Sequence, residues 1–219
     1  MEKWKVALFD LDGTLLSTEQ QYSEFWGRMG RVYRPDVPDF AHIIKGTTLT
    51  QILSRFFPDQ DLQREIEEKI DAWEEQMAYP FFPGAEAFVE NLRSHGIRCA
   101  VVTSSNQKKM ACVRNYLPQF DHLFERVLTS EDFSASKPHP DCYLKGAAAM
   151  GVGVEECVVF EDAFTGLQAG VSAGMLTVGM ATTNSREQIR DHCHVVYDSF
   201  DRLDYETVNR EFQQFISNE

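Results

Sequence analysis

From residue 85 onward, short apolar runs alternate with helical stretches, and no other feature restricts the fold as much. Apolar runs occur at 97–103 (IRCAVVT), 126–129 (RVLT), 156–162 (ECVVFED) and 175–180 (MLTVGM), with an edge-like run at 194–198 (HVVYD). Helical patterns fill the gaps at 85–95, 107–117 and 142–151, then in the small-residue stretch AFTGLQAGVSAG, and Val208, Phe212 and Phe215 mark a last helix. Strands that alternate with helices imply a parallel sheet covered on both faces. One more run, WKVALF at 4–9, stands apart, because residues 18–79 read as helix. There Leu62, Ile66, Ile70, Trp73 and Met77 fall at helical spacing along an otherwise charged segment, the pattern of a helix with one buried face. The breaker-rich YPFFPG closes the block. The expected fold is therefore α/β, a doubly wound, Rossmann-like parallel sheet interrupted after its first strand by a helical insert. The core takes residues 1–16 and 83–219, and the insert 17–82.

Ligands of such sheets bind beyond the carboxyl ends of the strands, so the residues just after each apolar run are informative. The first run leads into Asp10 and Asp12 of DLDGT. The run ending at Val102 leads into Thr103, Ser104, Ser105 and Asn106. Lys137 precedes a helix in SKPHPD, and VVF at 158–160 leads into Glu161 and Asp162. Carboxylates without cysteine or histidine partners suit a hard cation such as magnesium. Hydroxyls, backbone amides and one lysine suit a phosphate. An aspartate can serve as a nucleophile and a second carboxylate as proton donor and acceptor.

DLDGT at 10–14, Thr103 at a strand end, Lys137 in SKPHP and the pair Glu161–Asp162 together resemble the four motifs of the haloacid dehalogenase-like phosphohydrolases. The resemblance spans the chain and includes the helical insert, which is similar to the small cap of the subgroup holding β-phosphoglucomutase and many sugar-phosphate phosphatases. It implies that Asp10 is the nucleophile and a magnesium ligand. It implies that Asp12 is the general acid/base and reaches the metal through its carbonyl. Thr103, Ser104 and Lys137 would hold the phosphoryl group, Asp162 would be a metal ligand, and Glu161 would orient Lys137 or a metal-bound water. Asp12 favours phosphate chemistry, since the true dehalogenases lack it. In IIKGTTLT at 43–50, Lys45 and Gly46 resemble the cap's specificity loop, and Tyr22 is a further candidate for substrate contact. Leu49 and Tyr22 stand where the mutases carry an arginine and a histidine. The expected enzyme is thus a Mg²⁺-dependent phosphatase of a small phosphorylated metabolite, with a phosphosugar mutase as the alternative and a phosphonate-cleaving enzyme or a silent metal-binding regulator behind it.

The net charge of −13 disfavours nucleic-acid and anionic-membrane partners. Five cysteines without a CxxC fit reduced thiols in a cytoplasm, and no apolar run reaches membrane-spanning length. The expected state is a monomer. Several features read as structural. His192 and His194 lack a third ligand, and Gly151–Gly153 come after a helix rather than a strand. Asp162 has a competing reading as the N-cap of the next helix.

Overall fold

A computed structural model describes residues 4–44 and 47–217. Its centre is a sheet of six parallel strands in the order β3-β2-β1-β4-β5-β6. β1 (Val6–Phe9) is followed by a helical block of α1 (Glu19–Tyr33), α2 (Phe40–Ile43), α3 (Leu49–Phe56) and α4 (Gln60–Glu74). The chain then returns through α5 (Ala85–Ser94), β2 (Arg98–Val102), α6 (Gln107–Tyr116), α7 (Phe120–Leu123) and β3 (Arg126–Leu128). α8 (Asp141–Met150), β4 (Cys157–Glu161), α9 (Phe164–Ser172), β5 (Leu176–Met180), α10 (Arg186–Ile189), β6 (Val195–Tyr197) and α11 (Tyr205–Ser217) complete it.

Every residue of β1, β4 and β5 is buried, as strands covered on both faces must be. Alternate β1 side chains feed two cores. Ala7 and Phe9 join one with Val89, Met110 and Phe160, while Val6 and Leu8 join the other with Tyr143, Ala147 and Val159. Phe9 stacks on Phe160 at 4.6 Å between ring centroids. The helical block has an apolar centre of its own, including Phe25, Trp26, Phe40, Phe57, Ile66 and Ile70. The spacing read across 62–77 is real up to Glu74, where α4 ends, and Met77 is buried beyond the helix. Gly151 ends α8 in the left-handed conformation, and the edge-like run forms β6 beside β5. No helix among the described residues is long and apolar enough to cross a membrane.

Candidate active site

β1 lies between β2 and β4, with successive strands leading away on both sides, so the crevice beyond its carboxyl end is the switch point of the sheet. Phe9 is in register with Val101 and with Phe160, which sets Asp10 level with Val102 and Glu161. The backbone amide of Asp10 donates to Phe160 O at 3.0 Å, so the first carboxylate is fixed by the sheet itself. Lys137 reaches this level from the loop before α8. Its ammonium donates to Asp10 Oδ1 at 2.5 Å and to Glu161 Oε1 at 2.6 Å, and lies 3.4 Å from Val102 O. Glu161 is held in addition by Tyr143 Oη at 3.2 Å and by the amides of Asp162 and Ala163 at 2.8 and 2.9 Å.

Asp12 belongs to a separate set of contacts. Thr18 donates to its Oδ1 at 2.6 Å, and Ser105 and Lys109 donate to its Oδ2 at 2.9 and 2.5 Å. Asp162 accepts from Thr14 at 2.7 Å and from Thr183, while Asn184 donates to its carbonyl at 3.0 Å. Gly13 makes this proximity possible. It sits at φ +86°, and a Cβ there would fall 2.4 Å from Asp162 Oδ2. Gly13→Ala is therefore expected to lower both stability and activity, the backbone alone accounting for about 1–2 kcal/mol. Gly96→Ala is the control, since Gly96 has a similar φ of +83° and nothing within 4 Å of the added atom. Melting and turnover measured side by side should show an additional loss, at least tenfold in activity, only at Gly13.

Asp10, Glu161 and Asp162 bring ligand oxygens within 4.8 Å of one another, all buried. Burial pushes the Asp10 carboxyl up to about 8; Lys137 opposes the shift and Glu161 adds to it. Burial, then Glu161 and Asp10, likewise push Asp162 well above the usual carboxylate range. Burial would raise Asp12 as well, but the Lys109 ammonium and three hydrogen bonds outweigh it and hold that carboxyl low. Lys137 pairs with two of these three buried acids, Asp10 and Glu161; full ionisation of the set would leave negative charge in excess, and the donors are all oxygen. This set fits a divalent hard cation held by Asp10 and Asp162, with Glu161 beside them.

Asp10, Lys137, Glu161 and Asp162 thus form one buried cluster, with Asp12 held separately by its own partners. Thr103 is buried at the end of β2 and accepts from the Ser105 amide at 3.1 Å. Ser104 and Lys137 line a small cavity of about 60 Å³ together with Ser130, Ser134, Ser136 and, from the helical block, Thr48. The Tyr22 hydroxyl donates to Glu74 Oε1 at 2.6 Å. Lys45 and Gly46 lie outside the described residues. The N-cap reading of Asp162 is wrong. Ala163 occupies the N-cap of α9 without a side-chain cap, because both Asp162 carboxylate oxygens accept hydroxyls from Thr14 and Thr183. Sequence reasoning missed Thr18, Thr182–Asn184 and Lys109. Thr182–Asn184 come after a strand as the other site residues do, which is the signal that would have found them. Lys109 gives no such signal.

A doubly wound α/β enzyme with a buried acidic site at its switch point is the class that the fold and geometry define. The chain belongs to the haloacid dehalogenase-like hydrolases, whose family pattern it matches over residues 7–180. It is 33% identical over 172 residues to hexitol phosphatase A of Escherichia coli, covering 76% of this chain and 78% of that one. It is 29% identical over 230 residues to glycerol-1-phosphate phosphohydrolase 1 of Saccharomyces cerevisiae, covering 95% and 88%. The crystal structure of β-phosphoglucomutase from Clostridium difficile superposes with a TM-score of 0.84 at 22% identity over 98% of this chain and 99% of that one, a likeness of fold.

Proposed function

We propose that the protein is a Mg²⁺-dependent phosphatase of small phosphorylated metabolites, with sugar or polyol phosphates the favoured class, acting through an aspartyl-phosphate on Asp10. The observation that carries this reading is the division of the two DxD carboxylates. Asp10 lies in the acidic pocket with Lys137, Glu161 and Asp162, whereas Asp12 is held apart by Thr18, Ser105 and Lys109. In this reading an Asp10 oxygen attacks phosphorus while the bond to the leaving oxygen breaks, and Asp12, which takes a proton from the bound phosphate monoester, gives it to that oxygen. Asp12 then takes a proton from the water that attacks the phosphorus of phospho-Asp10 and passes it to the departing phosphate, which restores both carboxylates. Lys137, with Thr103 and Ser104, holds the phosphoryl oxygens, and Glu161 orients Lys137. Asp10, the Asp12 carbonyl and Asp162 hold Mg²⁺, which offsets the charge of the carboxylates and of the phosphoryl group when bound.

Residues 17–82 serve as the cap over the core of 1–16 and 83–219, and Lys45, Gly46 and Tyr22 are its proposed substrate contacts. Water is the favoured acceptor. Where a mutase carries arginine, Leu49 opens α3 and packs against the apolar centre of the block. The names of the two phosphatase relatives put hexitol and glycerol phosphates first in a screen. With Mg²⁺ we expect phosphate release from at least one of them and from p-nitrophenyl phosphate, abolished by EDTA. Conversion of β-glucose 1-phosphate to glucose 6-phosphate without phosphate release would establish the mutase instead.

A further inference from the structure

Lys109 stands on the inward face of α6 with Met110 and Val113, where an apolar residue is the rule, and is only 4% exposed. A buried ammonium needs partners to offset its lost hydration. Its partners join the catalytic end of the sheet to the helical block. The Nζ atom lies 2.5 Å from Asp12 Oδ2 and 4.4 Å from the centroid of the Tyr22 ring. Tyr22 is fixed in turn by its hydrogen bond to Glu74, itself nearly buried at the end of α4, and the Tyr79 hydroxyl donates to the Glu74 carbonyl at 2.7 Å. Asn106 caps α6 by accepting from the Lys109 amide at 2.9 Å, which fixes where the side chain starts.

We propose that Lys109 is a positioning residue for proton transfer: it orients the Asp12 carboxylate toward the leaving-group oxygen, and Tyr22 and Glu74 hold Lys109 in place. The inference rests on the proposed role of Asp12 as general acid/base. Thr18 constrains one Asp12 oxygen, and Ser105 and Lys109 constrain the other. Lys109 is the charged member of the three donors. A proton donor must come within hydrogen-bond reach of the oxygen it serves, and a misplacement of about 1 Å lowers the rate about 10²-fold.

The test is the leaving-group dependence of kcat/KM, which reports the steps up to departure of the alcohol and not the later attack of water. An alkyl alcohol needs a proton as it leaves, whereas p-nitrophenolate does not. K109M should lower kcat/KM for glycerol 1-phosphate, or for the best alkyl phosphate of the screen, about 10²-fold. For p-nitrophenyl phosphate the loss should stay below about fivefold, since that step does not draw on Asp12. K109R should recover most of the alkyl activity. In a D12A background K109M should change neither substrate by more than about twofold, because residues that act through one another are not additive. Equal losses on both substrates, no loss on either, or a K109M loss that persists in D12A overturns the proposal. Full alkyl activity in D12A alone overturns the underlying role of Asp12 instead. Should K109M fail to fold, E74L removes the acceptor that fixes Tyr22 against the ammonium while leaving the direct contacts of Asp12. It should show the same split between substrates, and equal losses there overturn the proposal too.

Discussion

Asp10→Asn should abolish phosphate release, by about 10⁴-fold or more, while the protein stays folded and melts higher than wild type in chelator at pH 8. The amide keeps the shape of the side chain but cannot attack phosphorus as a carboxylate does. The gain in stability has a separate cause. Asp10 shares Lys137 with Glu161, and burial, with the charges of Glu161 and Asp12, pushes its carboxyl up to about 8 against the opposing pull of Lys137. A carboxyl raised on folding contributes stability that is complete below its unfolded pKa, about 4, and is lost as pH rises through about 8. In chelator the melting temperature of wild type should therefore fall relative to the variant between pH 5 and pH 8, and the gap should close again in acid. Mg²⁺ at pH 8 should raise wild type more than the variant, because the cation meets a full carboxylate set only there. Turnover by the variant near the wild-type rate would remove Asp10 as nucleophile. Parallel melting profiles across this pH range would remove the charge crowding.

The grouping of the acidic residues was legible because β-sheet geometry turns short sequence motifs into positions. A strand end followed by DxD or ED places carboxylates at a known edge, and alternation with helices shows that the edge is shared. That logic brings Asp10, Glu161 and Asp162 together from the sequence alone. Lys137 was legible for a weaker reason, as one of four motifs whose order resembles a family, since its loop has no periodicity to say where it points. What the sequence hid depends on segments far apart in the chain. Lys109 looks like a charged residue on a solvated helix face, yet α1 and α4 bury it through Tyr22 and Glu74, which hydrogen-bond across 52 residues. Asp162 looks like an N-cap because the local rule ends at the next helix, whereas Thr14, 148 residues away, and Thr183 claim its oxygens. Gly13 reads as a turn residue and is one, but its lack of a side chain also answers to the Asp162 carboxylate packed against it.

Lys137→Met should lose activity about as surely as Asp10→Asn but move stability the other way. Lys137 is 6% exposed and pairs with two carboxylates that are themselves buried. Burial alone would lower the ammonium pKa, but Asp10 and Glu161 outweigh it and hold Lys137 protonated well above its ordinary range. Methionine fills the same space without charge, so the variant isolates electrostatics from packing. Removing one partner of a buried ion pair typically destabilises by about 3–5 kcal/mol, because the opposite charge is left without compensation. Here Glu161 is left so, beside Asp10 and Asp162, and Asp10 loses the cation that favours its ionised form. Chelator melts at pH 8 should show the loss at its largest, acid should reduce it as the carboxylates take up protons, and Mg²⁺ should restore part of it. Turnover should fall about 10²- to 10³-fold even where Mg²⁺ rescues the fold, since under the proposed function Lys137 donates to a phosphoryl oxygen and the cation cannot replace that donor. The double variant Lys137→Met with Asp10→Asn separates the two contributions. At alkaline pH it should be more stable than Lys137→Met alone, because the amide cannot ionise where Asp10 would, and the two single effects should fail to add. A Lys137→Met protein that melts like wild type in chelator at pH 8 would mean that Lys137 does not offset the charge of Asp10 and Glu161.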